Sequence, residues 1–214
     1  MSTAAQPYPR IAEGDEIEDV KERLRTAVRA ARKGRSQRLR DQASAALAHV
    51  VVSIPAVAEA SVVSVYAARP SEPGTLDLLD LLAARGARIL LPVLGSGLQR
   101  DWAEYAGRDD LRERAPGRPP ERRGPRLGAA AIAEADAIIA PALAVDTDGA
   151  RLGQGGGWYD RALEHARPGV PVIAVVFPEE LYDASTRPLP REPHDRTVDV
   201  VATPDGWQPV GPTA

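Results

Sequence analysis

Apolar positions divide the chain into two kinds of segment. Ile17, Val20, Leu24, Ala27, Val28 and Ala31 recur at helical spacing, marking one face of a helix. This predicts a first helix over Ile17–Lys33 and a second over Ser36–Ser53, stopping before Pro55. Beyond Pro55 the pattern changes. Short, nearly continuous apolar runs occur at 61–66, 87–91, 136–140, 170–177 and 197–203. Runs without polar alternation fit strands covered on both faces. Helix-compatible stretches lie between them at 76–85, 128–134 and 158–166. The alternation predicts an α/β fold: a single three-layer α/β/α domain around a mostly parallel, Rossmann-like sheet.

Three segments fall outside this pattern. Residues 1–15 carry Pro7, Pro9 and acids but no apolar run, and read as a disordered lead-in. Residues 205–214 read as a Pro/Gly tail without core signals, which leaves 16–204 as the domain. Within it, 107–124 is crowded with Arg, Asp, Glu and Pro and reads as a long mobile surface loop, either a lid or a plain insertion.

Composition narrows the function classes. The chain has 214 residues, enough for one domain with a sizeable core. Its net charge of −3 gives no global field toward nucleic acid or an anionic membrane. The absence of cysteine removes disulfides, Cys-ligated metal sites and thiol nucleophiles, and suits a reducing compartment. No apolar run reaches the ~18 residues of a membrane-spanning helix. The expectation is a cytoplasmic monomer or weak dimer acting on small molecules, with neither nucleic acid nor membrane as partner.

Chemistry concentrates in Gly149-Ala-Arg-Leu-Gly-Gln-Gly-Gly-Gly-Trp-Tyr-Asp-Arg161, where glycines stand at 153, 155, 156 and 157. Glycine admits positive φ and lets a ligand approach the main chain. A glycine-rich loop that opens a helix presents N–H donors suited to phosphate. Arg151 and Arg161 add charge and directional donors, and Asp160 is a hard oxygen of the kind Mg²⁺ takes beside nucleotide phosphates. The loop is not Gly-x-x-x-x-Gly-Lys-Ser/Thr, so it is not a P-loop, and it fits a dinucleotide fingerprint poorly. By itself a glycine cluster also fits a flexible strand-to-helix turn.

A second feature lies in the first helix. Lys21, Arg25 and Arg29 stand four residues apart on one side. Residues 21–40 contain nine basic residues and one acid, Glu22. Such a face needs either solvent or an anionic partner. A third feature is Tyr66-Ala-Ala-Arg-Pro-Ser-Glu-Pro-Gly-Thr75, which follows the first strand at a position where open α/β sheets bind ligands. Glu72 sits in it, either as a binding carboxylate or as a turn residue in an N-cap arrangement with Thr75. The fourth is Leu189-Pro-Arg-Glu-Pro-His-Asp195, just before the last strand. A lone histidine such as His194 is more often structural or exposed than catalytic.

These motifs, in this order from Val20 to Thr203, resemble the 5-formyltetrahydrofolate cyclo-ligase family, also called 5,10-methenyltetrahydrofolate synthetase. Its members carry Lys-x-x-x-Arg on the first helix, Tyr-x-x-x-x-x-Glu-x-x-Thr after the first strand and Arg-Leu/Ile-Gly-x-Gly-x-Gly-Tyr-Tyr-Asp-Arg in the glycine loop. A Leu/Val-Pro-x-Glu-x-His-Asp segment precedes the last strand. Here Trp158 replaces the first Tyr of the glycine loop, and Glu121-Arg122 stands where the family commonly has Glu-Pro.

The resemblance implies ATP-dependent cyclisation of 5-formyltetrahydrofolate to the 5,10-methenyl form, with ADP and phosphate as products and Mg²⁺ as cofactor. It implies that Lys21 and Arg25 reach the nucleotide phosphates together with Arg151, Gly153, Gln154, Gly155, Gly156, Gly157, Trp158, Tyr159 and Asp160. Lys21, Arg151 and Arg161 are the expected catalytic cations, Asp160 the expected metal ligand, and Glu72 with Tyr159 the expected folate contacts. Arg29, on the same stripe, is expected to matter less to ATP use than Lys21. The competing expectation is a nucleotide- or folate-binding paralogue without turnover, which the changes at Trp158 and Arg122 keep open. An RNA-binding basic helix is disfavoured by the negative net charge and by the lack of interleaved aromatic and basic residues.

Overall fold

Helix α1 forms over Ile17–Lys33, the span its periodicity predicts. Glu18 and Asp19 in its first turn and Arg32 and Lys33 in its last complement the helix dipole. Its inner face buries Val20, Leu24 and Val28, but also Lys21, Arg25 and Arg32. Helix α2 (Gln37–Val52) starts at Ser36, whose hydroxyl accepts from the Leu39 N–H, and is followed by the one-turn α3 (Pro55–Ala58). The structure, a computed structural model, describes residues 6–9, 11–12, 14–94, 100–112, 119–122 and 124–211.

Strand β1 (Val62–Ser64) leads through α4 (Leu76–Ala84) to β2 (Arg88–Leu94), which turns back as β3 (Arg100–Glu104). Two short strands, β4 (Leu111–Arg112) and β5 (Glu121–Arg122), pair with each other. The chain then runs through β6 (Ala137–Pro141), β7 (Ala144–Asp146) and β8 (Arg151–Leu152) into α5 (Trp158–Ala162). It ends with β9 (Val172–Val175), β10 (Leu181–Tyr182), β11 (Val200–Thr203) and β12 (Gly206–Pro209).

Among the described residues the main sheet has seven strands in the order β12-β11-β9-β6-β1-β2-β3. The five inner strands are parallel, and β3 and β12 close the edges antiparallel. From β1 the chain crosses one way to β2 and from β6 the other way to β9. Right-handed crossovers in opposite directions place their helices on opposite faces, which gives the expected three layers. The inner strands are almost wholly buried (Ile138, Ile139, Ile173, Ala174, Val175), which is why they read as continuous apolar runs. A second sheet, β10-β7-β8, packs with Leu24 and Val28 of α1 in a smaller core of its own.

Several expectations are corrected. The tail does not begin at 205: β12 pairs with β11 through 206–209, and Val210 packs on the main core. The lead-in is docked at residues 6–8. The Gln6 amide donates to the Glu179 and Leu181 carbonyls, the Tyr8 hydroxyl to Pro188 O, and the Tyr182 hydroxyl to Pro7 O. The 107–124 loop contains a 3₁₀ turn at Arg108–Asp110 and the β4–β5 pair, while 113–118 and 123 lie outside the described residues. Residues 129–134 are 3₁₀ rather than α, and the 158–166 stretch becomes α only through Ala162 and then 3₁₀ over Leu163–His165.

Candidate active site

A cleft of about 440 Å³ opens where the sheet changes direction, between β1 and β6. Tyr66 and Ala67 beyond β1, Pro92 and Leu94 of β2, and Pro141 at the end of β6 line it. This is the carboxyl-end crevice at which open α/β sheets bind ligands. Glu72 reaches it from a loop folded on itself. The Thr75 hydroxyl donates to Tyr66 O at 2.7 Å and accepts from Ala68 N at 3.1 Å, and the Tyr66 hydroxyl donates to Pro73 O. Thr75 therefore makes no side-chain cap for α4; its hydroxyl is committed to the loop. Glu72 is buried, and its Oε2 accepts from Arg69 N at 2.9 Å.

The glycine loop is launched from the β7–β8 hairpin. The buried Asp146 carboxylate accepts from the Asp148, Ala150 and Leu189 N–H groups, which binds the hairpin to the 189–196 segment. Gly149 makes this turn at φ 82°, and a Cβ there would lie 2.6 Å from Val198 O. Asp146 and Gly149 are thus architectural. Arg151 follows on β8, donating from Nη2 to Asp160 Oδ1 at 2.7 Å. Gly155 (φ 96°) and Gly157 (φ 56°) take up positive φ, and Gly157 starts α5. With only five residues, α5 offers little macrodipole, so the anion-binding capacity rests on the loop's own N–H groups and the arginines.

The basic row of α1 faces this loop rather than solvent. Arg25 Nε donates to Gly153 O at 3.2 Å, and Arg29 donates from Nη2 to Gln154 O at 2.9 Å and from Nε to Gln154 Oε1 at 3.3 Å. Arg29 therefore lines the cleft and holds the glycine loop. Arg161 is exposed and donates to Gly156 O at 2.7 Å. One helix turn beyond Arg29, Arg32 is buried and grips both Glu180 oxygens and Ala142 O at 2.7 Å. That pair anchors α1 beneath the cleft.

A second cavity, of about 170 Å³, adjoins the cleft along the glycine loop. Arg151, Gly153, Gly157 and Asp160 line both. The smaller one adds Lys21, Arg25, Gly155 and Arg161, opposed by Glu18, Glu164, Glu192 and Asp195. Lys21 Nζ lies 2.6 Å from both Glu192 Oε2 and Asp195 Oδ2. Burial opposes the ammonium charge, but the two carboxylates outweigh it and hold the Lys21 pKa above the ordinary value. Asp195 is likewise desolvated, yet the Glu192 N–H and Lys21 hold its carboxyl below the usual range. Ligand atoms of Glu192, His194 and Asp195 lie within 4.8 Å of one another. These carboxylates escaped the sequence reading because their segment read only as a motif match; the signal available was the need of Lys21 for counter-charge.

Trp158 and Tyr159 form the aromatic wall. Trp158 packs edge-on against Trp102 with ring centroids 5.2 Å apart, and against Tyr159 at 5.0 Å. Burial pushes the Tyr159 pKa well above 10, so the phenol stays neutral. Among the described residues the Tyr159 hydroxyl and the Trp158 indole N–H have no hydrogen-bond partner.

The model of the 5-formyltetrahydrofolate cyclo-ligase family matches residues 17–204. The chain belongs to that family. Within it, a 5-formyltetrahydrofolate cyclo-ligase of Mycolicibacterium smegmatis is 45% identical over 153 residues, covering 66% of this chain and 73% of the relative. The mitochondrial 5-formyltetrahydrofolate cyclo-ligase of Arabidopsis thaliana is 38% identical over 88 residues, covering 37% of this chain and 31% of that one. The fold is shared with the 5,10-methenyltetrahydrofolate synthetase of Aquifex aeolicus (TM-score 0.74, 24% identity, 91% of this chain and 95% of that one). It is shared also with that of Mycoplasma pneumoniae (TM-score 0.66, 17% identity, 86% and 98%). In this cyclo-ligase-family chain the Trp158 departure has a local counterpart, since Trp102 supplies the ring against which the indole packs. Among the described residues no helix is long and apolar enough to cross a membrane.

Proposed function

We propose that the protein cyclises 5-formyltetrahydrofolate to 5,10-methenyltetrahydrofolate at the expense of ATP. The observation that carries this reading is the pair of cavities sharing one glycine-loop wall. The larger has a buried carboxylate and an aromatic wall; the smaller gathers Lys21, Arg25, Arg151 and Arg161. Two different substrates meeting along one loop is what the reaction requires.

In this reading the formyl oxygen attacks the γ-phosphorus and ADP leaves. N10 then attacks the phosphorylated formyl carbon and gives up its proton, and the C–O bond breaks. The former formyl oxygen departs in inorganic phosphate, leaving the methenyl cation. Phosphoryl transfer of this kind needs positioning and charge neutralisation more than a protein nucleophile. Lys21, Arg25, Arg151 and Arg161 neutralise phosphate charge, and the amides of Gly153–Gly157 hold its oxygens. Glu72 orients the pterin through its ring N–H groups, and Tyr159 contributes a neutral wall that helps exclude water.

Asp160, Glu192 and Asp195 supply hard oxygens on the cavity that holds the cations, a donor set that fits Mg²⁺. When bound there, the ion adds positive charge at the phosphates. Lys21 must then give up part of its hold on Glu192 and Asp195.

Formyl-¹⁸O substrate provides the test. One label should appear in inorganic phosphate per methenyl product, with one ADP. ADP formation without label transfer would overturn the phosphorylated intermediate.

A further inference from the structure

We infer that Arg29 and Gln154 are positioning residues that tie the glycine loop to the Glu72 carboxylate, so that filling the loop orients Glu72 for the folate. The inference rests on the reading of the cleft given above. Gln154 Nε2 donates to Glu72 Oε1 at 2.9 Å, while Gln154 Oε1 accepts from Arg29 Nε at 3.3 Å. A guanidinium only donates and a carboxylate only accepts, so the amide has one orientation that satisfies both. Arg29 also holds the backbone of the same residue, through Gln154 O at 2.9 Å. Glutamine is suited to this place because it is donor and acceptor at once. A lysine would lose the acceptor and face Arg29 with like charge.

The two oxygens of Glu72 are held from different elements. Oε2 is fixed from within its own loop by Arg69 N, and Oε1 by a residue 82 positions away. Glu72 is only 6% exposed, so few alternative partners reach it and the bond from Gln154 governs its remaining freedom. Gln154 precedes Gly155, at φ 96°, in the stretch proposed to close on phosphate. A change in that stretch moves the donor that Glu72 sees. The two halves of the site are thereby coupled through one side chain, and binding on one side shifts affinity on the other by the same factor in both directions.

The test is a double-mutant cycle in the full-length protein, reading the Kd of 5-formyltetrahydrofolate by calorimetry with and without a non-hydrolysable Mg-ATP analogue. With the analogue present, Gln154→Leu should weaken folate binding about tenfold when Glu72 is present, as for loss of a hydrogen bond to a charged group. In a Glu72→Ala background the same change should cost less than about twofold, because a residue acting through Glu72 has nothing left to position. Gln154→Asn, which keeps the amide but shortens its reach, should behave as Gln154→Leu and serves if the leucine variant does not fold. The analogue should tighten folate binding in the parent protein and do so much less in either Gln154 variant. Equal losses in both backgrounds would overturn the relay. A parent protein that binds neither folate nor analogue would instead overturn the reading of the cleft.

Discussion

Lys21 on the first helix and Asp195, near the end of the chain, meet at 2.6 Å, with Glu192 at the same distance from the same ammonium. The first helix is thereby stapled to the segment before the last parallel strand, in the lining of the smaller cavity. A charged helix face is normally solvated, and its charges contribute little to stability. Lys21 is only 4% exposed, whereas Glu192 and Asp195 are half-buried and Asp195 also accepts from the Glu192 N–H. Lys21→Ala should therefore cost about 1 kcal/mol of stability, the worth of a hydrogen-bonded ion pair whose carboxylates keep access to water. Its effect on ATP use should be larger still. Denaturant unfolding and steady-state kinetics of one preparation check both. Unchanged ATP kinetics in a folded variant would return Lys21 to a purely structural role.

The same pair sets a pH window. Asp195 has a lowered pKa, so its contribution is present above the unfolded value of about 3.9 and lost as pH falls through the folded one. Lys21 has a raised pKa, so its contribution is present below about 10.4 and lost as pH rises through the folded value. The staple should hold between these limits. A Lys21→Met variant should lose the corresponding part of the stability-versus-pH profile at both ends; an unaltered profile would contradict the pairing.

Gly155→Val should abolish turnover while leaving a folded protein. Valine at φ 96° carries strain of about 1–3 kcal/mol, and its Cβ would meet the Arg25 guanidinium at 3.5 Å. Gly156→Ala separates strain from function. Gly156 does not adopt positive φ, and a Cβ there meets nothing within 4 Å, so stability should stay within about 0.5 kcal/mol. Any loss of activity in Gly156→Ala then reports close approach of a ligand to the main chain. Full activity of folded Gly155→Val would place the phosphate elsewhere.

Truncation after Pro204 should destabilise the fold. It removes β12, which pairs with four residues of β11, and exposes that strand as a bare edge. Each kcal/mol lost should lower Tm by about 2–4 °C in a chain of this size. A truncated protein with the parent Tm would show that β12 is dispensable.

The sequence made legible those elements whose burial is one- or two-sided over many residues. Val20, Leu24 and Val28 mark α1, and Ile138, Ile139, Ile173 and Val175 mark inner strands. It concealed elements whose pairing is edge-on or very short. β12 reads as a tail because Gly206, Gln208 and Pro209 carry no apolar pattern, and β8 is two residues inside a glycine-rich string. Arg151 and the glycines stood out by their spacing and Glu72 by its place in a family motif, and the fold brings them to one cleft. The Glu192–Asp195 partners of Lys21 and the Arg29–Gln154–Glu72 chain were not legible, since they join residues that only the fold brings together.

Absorbance of the methenyl product decides whether the protein turns over its substrate. Purified protein with 5-formyltetrahydrofolate should accumulate the methenyl chromophore when Mg-ATP is added, at mildly acidic to neutral pH, and not when ATP is withheld. Binding of ATP and folate with no methenyl product at saturating substrates would rule out the cyclisation and identify a binding paralogue.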